Sequence, residues 1–172
     1  MASTYNATPV FSSLTQVGPN IMTASFNLAN TLNAAGLVVN DVIQFILLPP
    51  GALLTALWFD VDPLYGSGSC VVDIGTDLTT GQGGVNSNGF FSQSAVGTNF
   101  TASPAIISEY NDTSYQTQSL PFLYNQETQF SGILLKNATI EFKIHTAGTT
   151  AETTGTIQCT AEWTMTNNSG LL

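Results

Sequence analysis

The stretch Asn40-Asp-Val-Ile-Gln-Phe-Ile-Leu-Leu-Pro-Pro-Gly-Ala-Leu-Leu-Thr-Ala-Leu-Trp-Phe-Asp-Val-Asp62 decides the fold class. Two apolar runs, rich in β-branched and aromatic residues, flank Pro49-Pro50-Gly51-Ala52. Proline second and glycine third in such a tetrad suit a type II turn, whose third residue needs a positive φ. In the second run, Leu53, Thr55, Leu57, Phe59 and Val61 share one face. Leu54, Ala56, Trp58, Asp60 and Asp62 share the other, so its far end is solvated. Two strands joined by a tight turn follow from this pattern.

The same period of two recurs outward along the chain. Met22 to Leu28 alternates, with Met22, Ala24, Phe26 and Leu28 on one face, and Ala29 to Gly36 suits a short helical turn. Pro63 to Ser69 reads as a turn, and strands are expected at Cys70–Ile74, Ala105–Tyr110, Gln129–Leu135, Thr139–Thr146 and Gly155–Thr166. The last two read as a hairpin. Its inward residues are Ile140, Phe142 and Ile144 on one strand, and Ile157, Cys159, Ala161, Trp163 and Met165 on the other. About eight strands without a long amphipathic helix predict an all-β protein, an antiparallel β-sandwich of jelly-roll-like type. Residues 1–20 read as an extended N-terminal arm, 21–166 as the single sandwich domain and 167–172 as a short tail. Residues 75–101, with Phe90 and Phe91, and 111–119 read as long polar loops.

Length and composition agree with one domain. The chain has 172 residues and is 43% hydrophobic, enough to bury a core. Charged residues make up only 8%, against roughly a quarter in an average soluble domain. Ser, Thr, Asn and Gln supply the polarity instead, and they cost less to desolvate than ionised groups. Such a surface suits broad contact with other protein. The net charge of −9 sets 11 acids against Lys136 and Lys143. Two lysines cannot neutralise a phosphate backbone or bind an anionic bilayer, so neither nucleic acid nor membrane is an expected partner. The longest apolar stretch, from Phe45 to Phe59, is broken by Pro49-Pro50-Gly51, whereas a span needs about 20 apolar residues. Met1 to Val10 has neither a basic region nor an apolar core of the kind secretory signals carry, so synthesis in the cytoplasm is expected.

The residues of a catalytic machine are scarce. His145 is the only histidine, and alternation puts it on a solvated strand face with Glu141 and Lys143. A serine or cysteine nucleophile therefore has no expected base. Asp60 and Asp62, with Asp73 and Asp77 near the next strand, are the best paired carboxylates. Such carboxylates could serve a cation site or a glycosidase pair, but a solvated strand end is the stronger reading. Cys70 and Cys159 lie in apolar alternating segments and read as buried thiols. A disulfide or a two-cysteine metal site is the weaker reading. Trp58, Trp163 and Phe142 read as core, whereas Tyr110, Tyr115 and Tyr124 sit in polar surroundings where sugars could stack. No enzyme activity, catalytic residue, metal or cofactor is expected. Tyr5 and Phe11 in the arm, and Phe90, Phe91 and Phe100 in the long loop, are the expected protein-interface residues, since buried aromatic anchors carry interface energy.

Asn40-Asp-Val-Ile-Gln-Phe45, Leu48-Pro-Pro-Gly-Ala52, Asp60-Val-Asp62, Val72-Asp-Ile-Gly75 and Gly155-Thr-Ile157 form an order that resembles small decoration (cement) proteins of tailed-phage capsids. The resemblance covers roughly residues 38–78 and, more loosely, 139–165. It implies a virion structural protein on the outer capsid surface, stabilising contacts between subunits of the major capsid protein. It also implies a homo-oligomer, a trimer first of all, without catalytic residues. The alternative from a different class is the receptor- or glycan-binding head of a viral fibre or tail protein.

Overall fold

Alternation of apolar and polar residues produces eleven strands among the residues that the computed structural model describes, which are 2–13, 19–31, 36–49, 51–67, 70–76, 105–108 and 138–165. In chain order they are β1 (Thr4–Asn6), β2 (Thr8–Ser13), β3 (Pro19–Asn27), β4 (Val42–Leu48), β5 (Ala52–Val61), β6 (Tyr65–Ser67), β7 (Val71–Thr76), β8 (Ala105–Ser108), β9 (Ala138–Thr146), β10 (Thr149–Ala151) and β11 (Thr156–Met165). One sheet has the order β1-β4-β9-β7, the other β2-β3-β11-β5-β8, and β6 pairs with β10 as a separate ribbon. The expected strand at 129–135 and the tail at 167–172 lie outside the described residues.

The two sheets pack face to face, as a β-sandwich does. Phe45 of β4 meets Phe59 of β5 edge-on at 5.4 Å, and Phe142 of β9 lies 5.6 Å from the same ring. The core between the sheets also holds Ile43, Ile46, Val72, Ile74, Ile140, Ile144, Leu57, Val61, Ile157, Ala161 and Trp163, all buried. The inward faces expected for β9 and β11 are thus the observed ones for Ile140, Phe142, Ile144, Ile157, Cys159, Ala161 and Trp163.

Pairing differs from the expectation at both apparent hairpins. The turn between β4 and β5 is the expected one: Gly51 has φ +84°, and Ala52 N donates to the Pro49 carbonyl at 3.2 Å. Yet β4 belongs to the four-stranded sheet and β5 to the five-stranded one, so the turn is a corner of the sandwich. Likewise β9 pairs with β4 and β7, while β11 pairs antiparallel with β3 and β5. The segment between β9 and β11 carries β10 and Gly155, at φ +113°, and has the length to change sheets. Crossing from sheet to sheet at successive strands is what makes the sandwich jelly-roll-like. Pro63 to Ser69, expected as a turn, contains β6.

The N-terminal residues also need correction. They are extended, but they are not an arm outside the domain. β1 pairs in parallel with β4, and β2 pairs antiparallel with β3, so one short segment contributes a strand to each sheet. A deletion of residues 1–18 removes both strands. Tyr5 is the reason they belong: it is 6% exposed and its ring lies 5.3 Å from Phe26. Asp41 supplies the tie. Its carboxylate, wholly buried, accepts from Ser3 N at 2.7 Å and Val38 N at 2.9 Å. Gly36 completes the turn region at φ +76°, where a Cβ would come within 2.7 Å of the Glu152 carbonyl oxygen.

β5 holds the last departure. Glu162 faces Ala56 and Trp163 faces Leu54, so Thr55 is one residue too many on β5, a bulge. An extra residue reverses which side chains point inward. Ala52 and Leu54 are therefore buried together with Leu57, Phe59 and Val61, while Thr55 is exposed.

Candidate functional site

The outer face of the five-stranded sheet is built by residues whose alternates fill the core. On β11, Ile157, Cys159, Ala161 and Trp163 are buried, which leaves Gln158, Thr160, Glu162 and Thr164 on the outer side, half-buried. Register places Gln158 between Ser25 and Asp60, Thr160 between Thr23 and Trp58, and Glu162 between Ile21 and Ala56. The Thr23 and Thr160 hydroxyls share a hydrogen bond of 2.9 Å. Thr55, displaced outward by the bulge, shares its one hydroxyl proton between the Glu162 carbonyl at 3.1 Å and Glu162 Oε1 at 3.2 Å. Trp58 stands in this polar field 38% exposed, on a strand flanked by β11 and β8.

Among the described residues the charge on this face has one sign. Asp60 is exposed two residues from Trp58, a spacing of about 7 Å along a strand. Glu162 lies on the neighbouring strand, one register step the other way, a diagonal of about 7–8 Å. Lys143, the lysine among the described residues, is on β9 of the other sheet. Trp58 was expected in the core. Its parity with Asp60 and Asp62 was the signal that it faces outward, and the bulge confines the buried part of that face to Leu54 and Ala52.

The other residues singled out by sequence fall as follows. Tyr5 is a core residue, which removes it from the interface set, because its ring is spent on Phe26 and the closure of the sandwich. Phe11 lies on β2 at the register position opposite Thr23. Phe90, Phe91, Phe100, Asp77, Tyr110, Tyr115 and Tyr124 lie outside the described residues. His145 is exposed on β9 as expected, but Glu141 is not solvated: it is 1% exposed, and Gln44 Nε2 donates to its Oε1 at 2.7 Å. An amide donor on the adjacent strand lets that carboxylate leave water. Asp62 Oδ2 accepts from Thr156 N at 2.8 Å and from the Thr156 hydroxyl at 3.2 Å, which fixes the start of β11. Among the described residues no three His, Cys, Asp or Glu side chains gather into a metal site.

Cys70 and Cys159 are free and buried. Burial pushes the Cys70 thiol from its ordinary 9.0 up to about 12, and raises Cys159 well above that ordinary value. Tyr65, whose hydroxyl donates to the Leu37 carbonyl at 2.9 Å, is also raised, by burial first and then by Cys70 and Asp41. A group held protonated by the fold contributes its full stability below its unfolded pKa and loses it as pH climbs toward the folded value. The urea midpoint should therefore fall once pH exceeds the ordinary thiol value of 9.0 and continue down toward 12. A Cys70→Ala, Cys159→Ala chain should show a shallower decline, and an equal slope would show that the thiols are not its source.

No family model and no curated protein matches the sequence. Solved structures do match. A chain in the capsid of Ralstonia phage GP4 superposes with a TM-score of 0.56 at 16% identity, over 93% of this chain and 91% of that one. Chains of the cyanophage Pam1 capsid and of the acid-stable capsid of Helicobacter pylori bacteriophage KHP30 align with TM-scores of 0.49 and 0.42, at 14% and 12% identity. At 0.56 over nearly both full lengths, the β-sandwich of this chain has the fold of a chain found in a phage capsid.

Proposed function

We propose that the chain is a structural subunit of a phage virion, a decoration protein that sits on the outer capsid surface and bridges subunits of the major capsid protein. The observation that carries this reading is the fold likeness to a chain in the capsid of Ralstonia phage GP4 across 93% of the sequence. Composition supports it: an exterior of hydroxyl and amide side chains can be buried over a wide, wet interface at modest cost. The role is non-enzymatic and needs no cofactor. Assembly as a homotrimer, and partner contacts from Phe11, Phe90, Phe91 and Phe100, belong to the same proposal.

Purified virions should contain the chain in a fixed ratio to the major capsid protein, measured by quantitative mass spectrometry. Particles assembled without it should release their genome at a lower temperature than complete ones, because a ligand of the assembled state stabilises that state. Absence from virions, or unchanged release temperature, would count against the decoration role.

A further inference from the structure

We propose that the outer face of the five-stranded sheet docks a basic protein surface, with an arginine of the partner seated over Trp58 between the carboxylates of Asp60 and Glu162. This rests on the virion reading, which supplies the partner, and deepens it by assigning that partner's chemistry.

Three observations converge on one occupant. First, Trp58 is a large aromatic left 38% exposed on an inner strand of the sheet, and among aromatic side chains the indole face attracts cations most strongly. Second, the two acids flank it on opposite sides along the strand direction: Asp60 shares its register row with Gln158, Trp58 with Thr160, and Ala56 with Glu162. Thr55 holds the Glu162 carboxylate from its hydroxyl at 3.2 Å, so this oxygen is positioned before a partner arrives. Third, beside Ile21 and Ala56 the surroundings are hydroxyls and an amide, from Thr23, Ser25, Thr160 and Gln158, which desolvate cheaply and leave the two carboxylates as the dominant charges among the described residues. A planar guanidinium satisfies both elements at once, stacking on the indole and pairing with carboxylates through its fixed fork of donors, where a lysine ammonium offers only a point charge.

The same charges dispose of the rivals. A nucleic acid would bring phosphates to two carboxylates. A second copy docking through the same face would set acid against acid, and any other face of a copy brings no guanidinium, since this chain of net charge −9 contains two lysines and no arginine. Charge complementarity leaves a cationic protein surface.

The test uses the full chain and a blocked hexa-arginine peptide. Trp163 is 3% exposed and Trp58 is the open indole, so fluorescence quenching reports the proposed seat. Hexa-arginine should quench saturably and hexa-lysine less well, while hexa-glutamate should not quench. By calorimetry Trp58→Ala, which leaves the net charge untouched, should weaken hexa-arginine binding about tenfold, the loss of a partly desolvated cation–π contact. Asp60→Asn and Glu162→Gln should each weaken it about threefold and flatten its salt dependence, whereas Glu152→Gln, away from this face, should change nothing. Equal binding by Trp58→Ala, or an equal loss on Glu152→Gln, would reduce the effect to diffuse attraction by an acidic protein and overturn the proposal. So would an oligomer that Trp58→Ala dissolves in light scattering, since the face would then belong to a second copy.

Occupancy in virions separates the two readings. Wild-type chain present and Trp58→Ala chain depleted supports both. Equal occupancy sinks the docking face and spares the virion role. Wild-type chain missing from particles sinks the virion role, and the peptide titration then decides the face by itself.

Discussion

Phe59→Ala should cost the fold about 3–5 kcal/mol, the range for truncating a fully buried aromatic, read as a lower urea midpoint at an unchanged denaturant slope. Phe59 has no exposed surface and lies between Phe45 at 5.4 Å and Phe142 at 5.6 Å. Those rings come from β4 and β9 of one sheet, and Phe59 from β5 of the other. Removing it therefore opens a cavity at the joint of the two layers and takes away edge contacts that add to area burial. Phe59→Leu should lose much less, because most of the volume remains. A midpoint shift for the alanine variant no larger than for an exposed substitution such as Thr55→Ala would mean that the sheets are not held through this trio.

Asp41→Ala should cost roughly 3 kcal/mol, since it deletes two hydrogen bonds to a buried carboxylate and leaves the part-buried Ser3 and Val38 amides without their acceptor. Asp41→Asn should recover only part, because its amide nitrogen would meet one of those N–H groups donor to donor. The distinguishing measurement is hydrogen exchange. Asp41 sits where three chain segments meet: Val42 N donates to the Ser3 carbonyl, and Ile144 N to the Asp41 carbonyl, both at 3.0 Å. Loss of the carboxylate should release β1 first, so protection across Thr4–Asn6 should collapse while the amides of β11 stay protected. Uniform loss across both sheets would assign Asp41 to the core as a whole, and intact protection of β1 would remove its role as the tie.

The asymmetry between these two sites mirrors what each owes to local sequence. Phe59 is legible as a core residue because its neighbours at every second position, Leu57 and Val61, are apolar too. Nothing around Asp41 says that its carboxylate is buried. Its partners are the Val38 amide, three residues back, and the Ser3 amide, 38 residues away, and only folding brings the second one near. Glu141 is the same case, since its cover includes Gln44, 97 residues distant. For the proposed docking face, Trp58 and Asp60 could be placed together from their parity on one strand. Glu162 joined them only through the pairing of β5 with β11.

Sequence alone determined that this is an all-β sandwich, where β3, β4, β5, β7, β9 and β11 run, which residues of β9 and β11 point inward, and that the chain turns at Gly51. All of these follow from alternation and turn chemistry, which are properties of consecutive residues. Tertiary structure alone decided that β4 parts from β5 and β9 from β11, that residues 4–13 are strands, and that Thr55 resets the inward face. A tight turn serves equally as a hairpin end or a corner between sheets. The choice falls to whichever strand edge is free when the layers close, and that is a property of the whole chain.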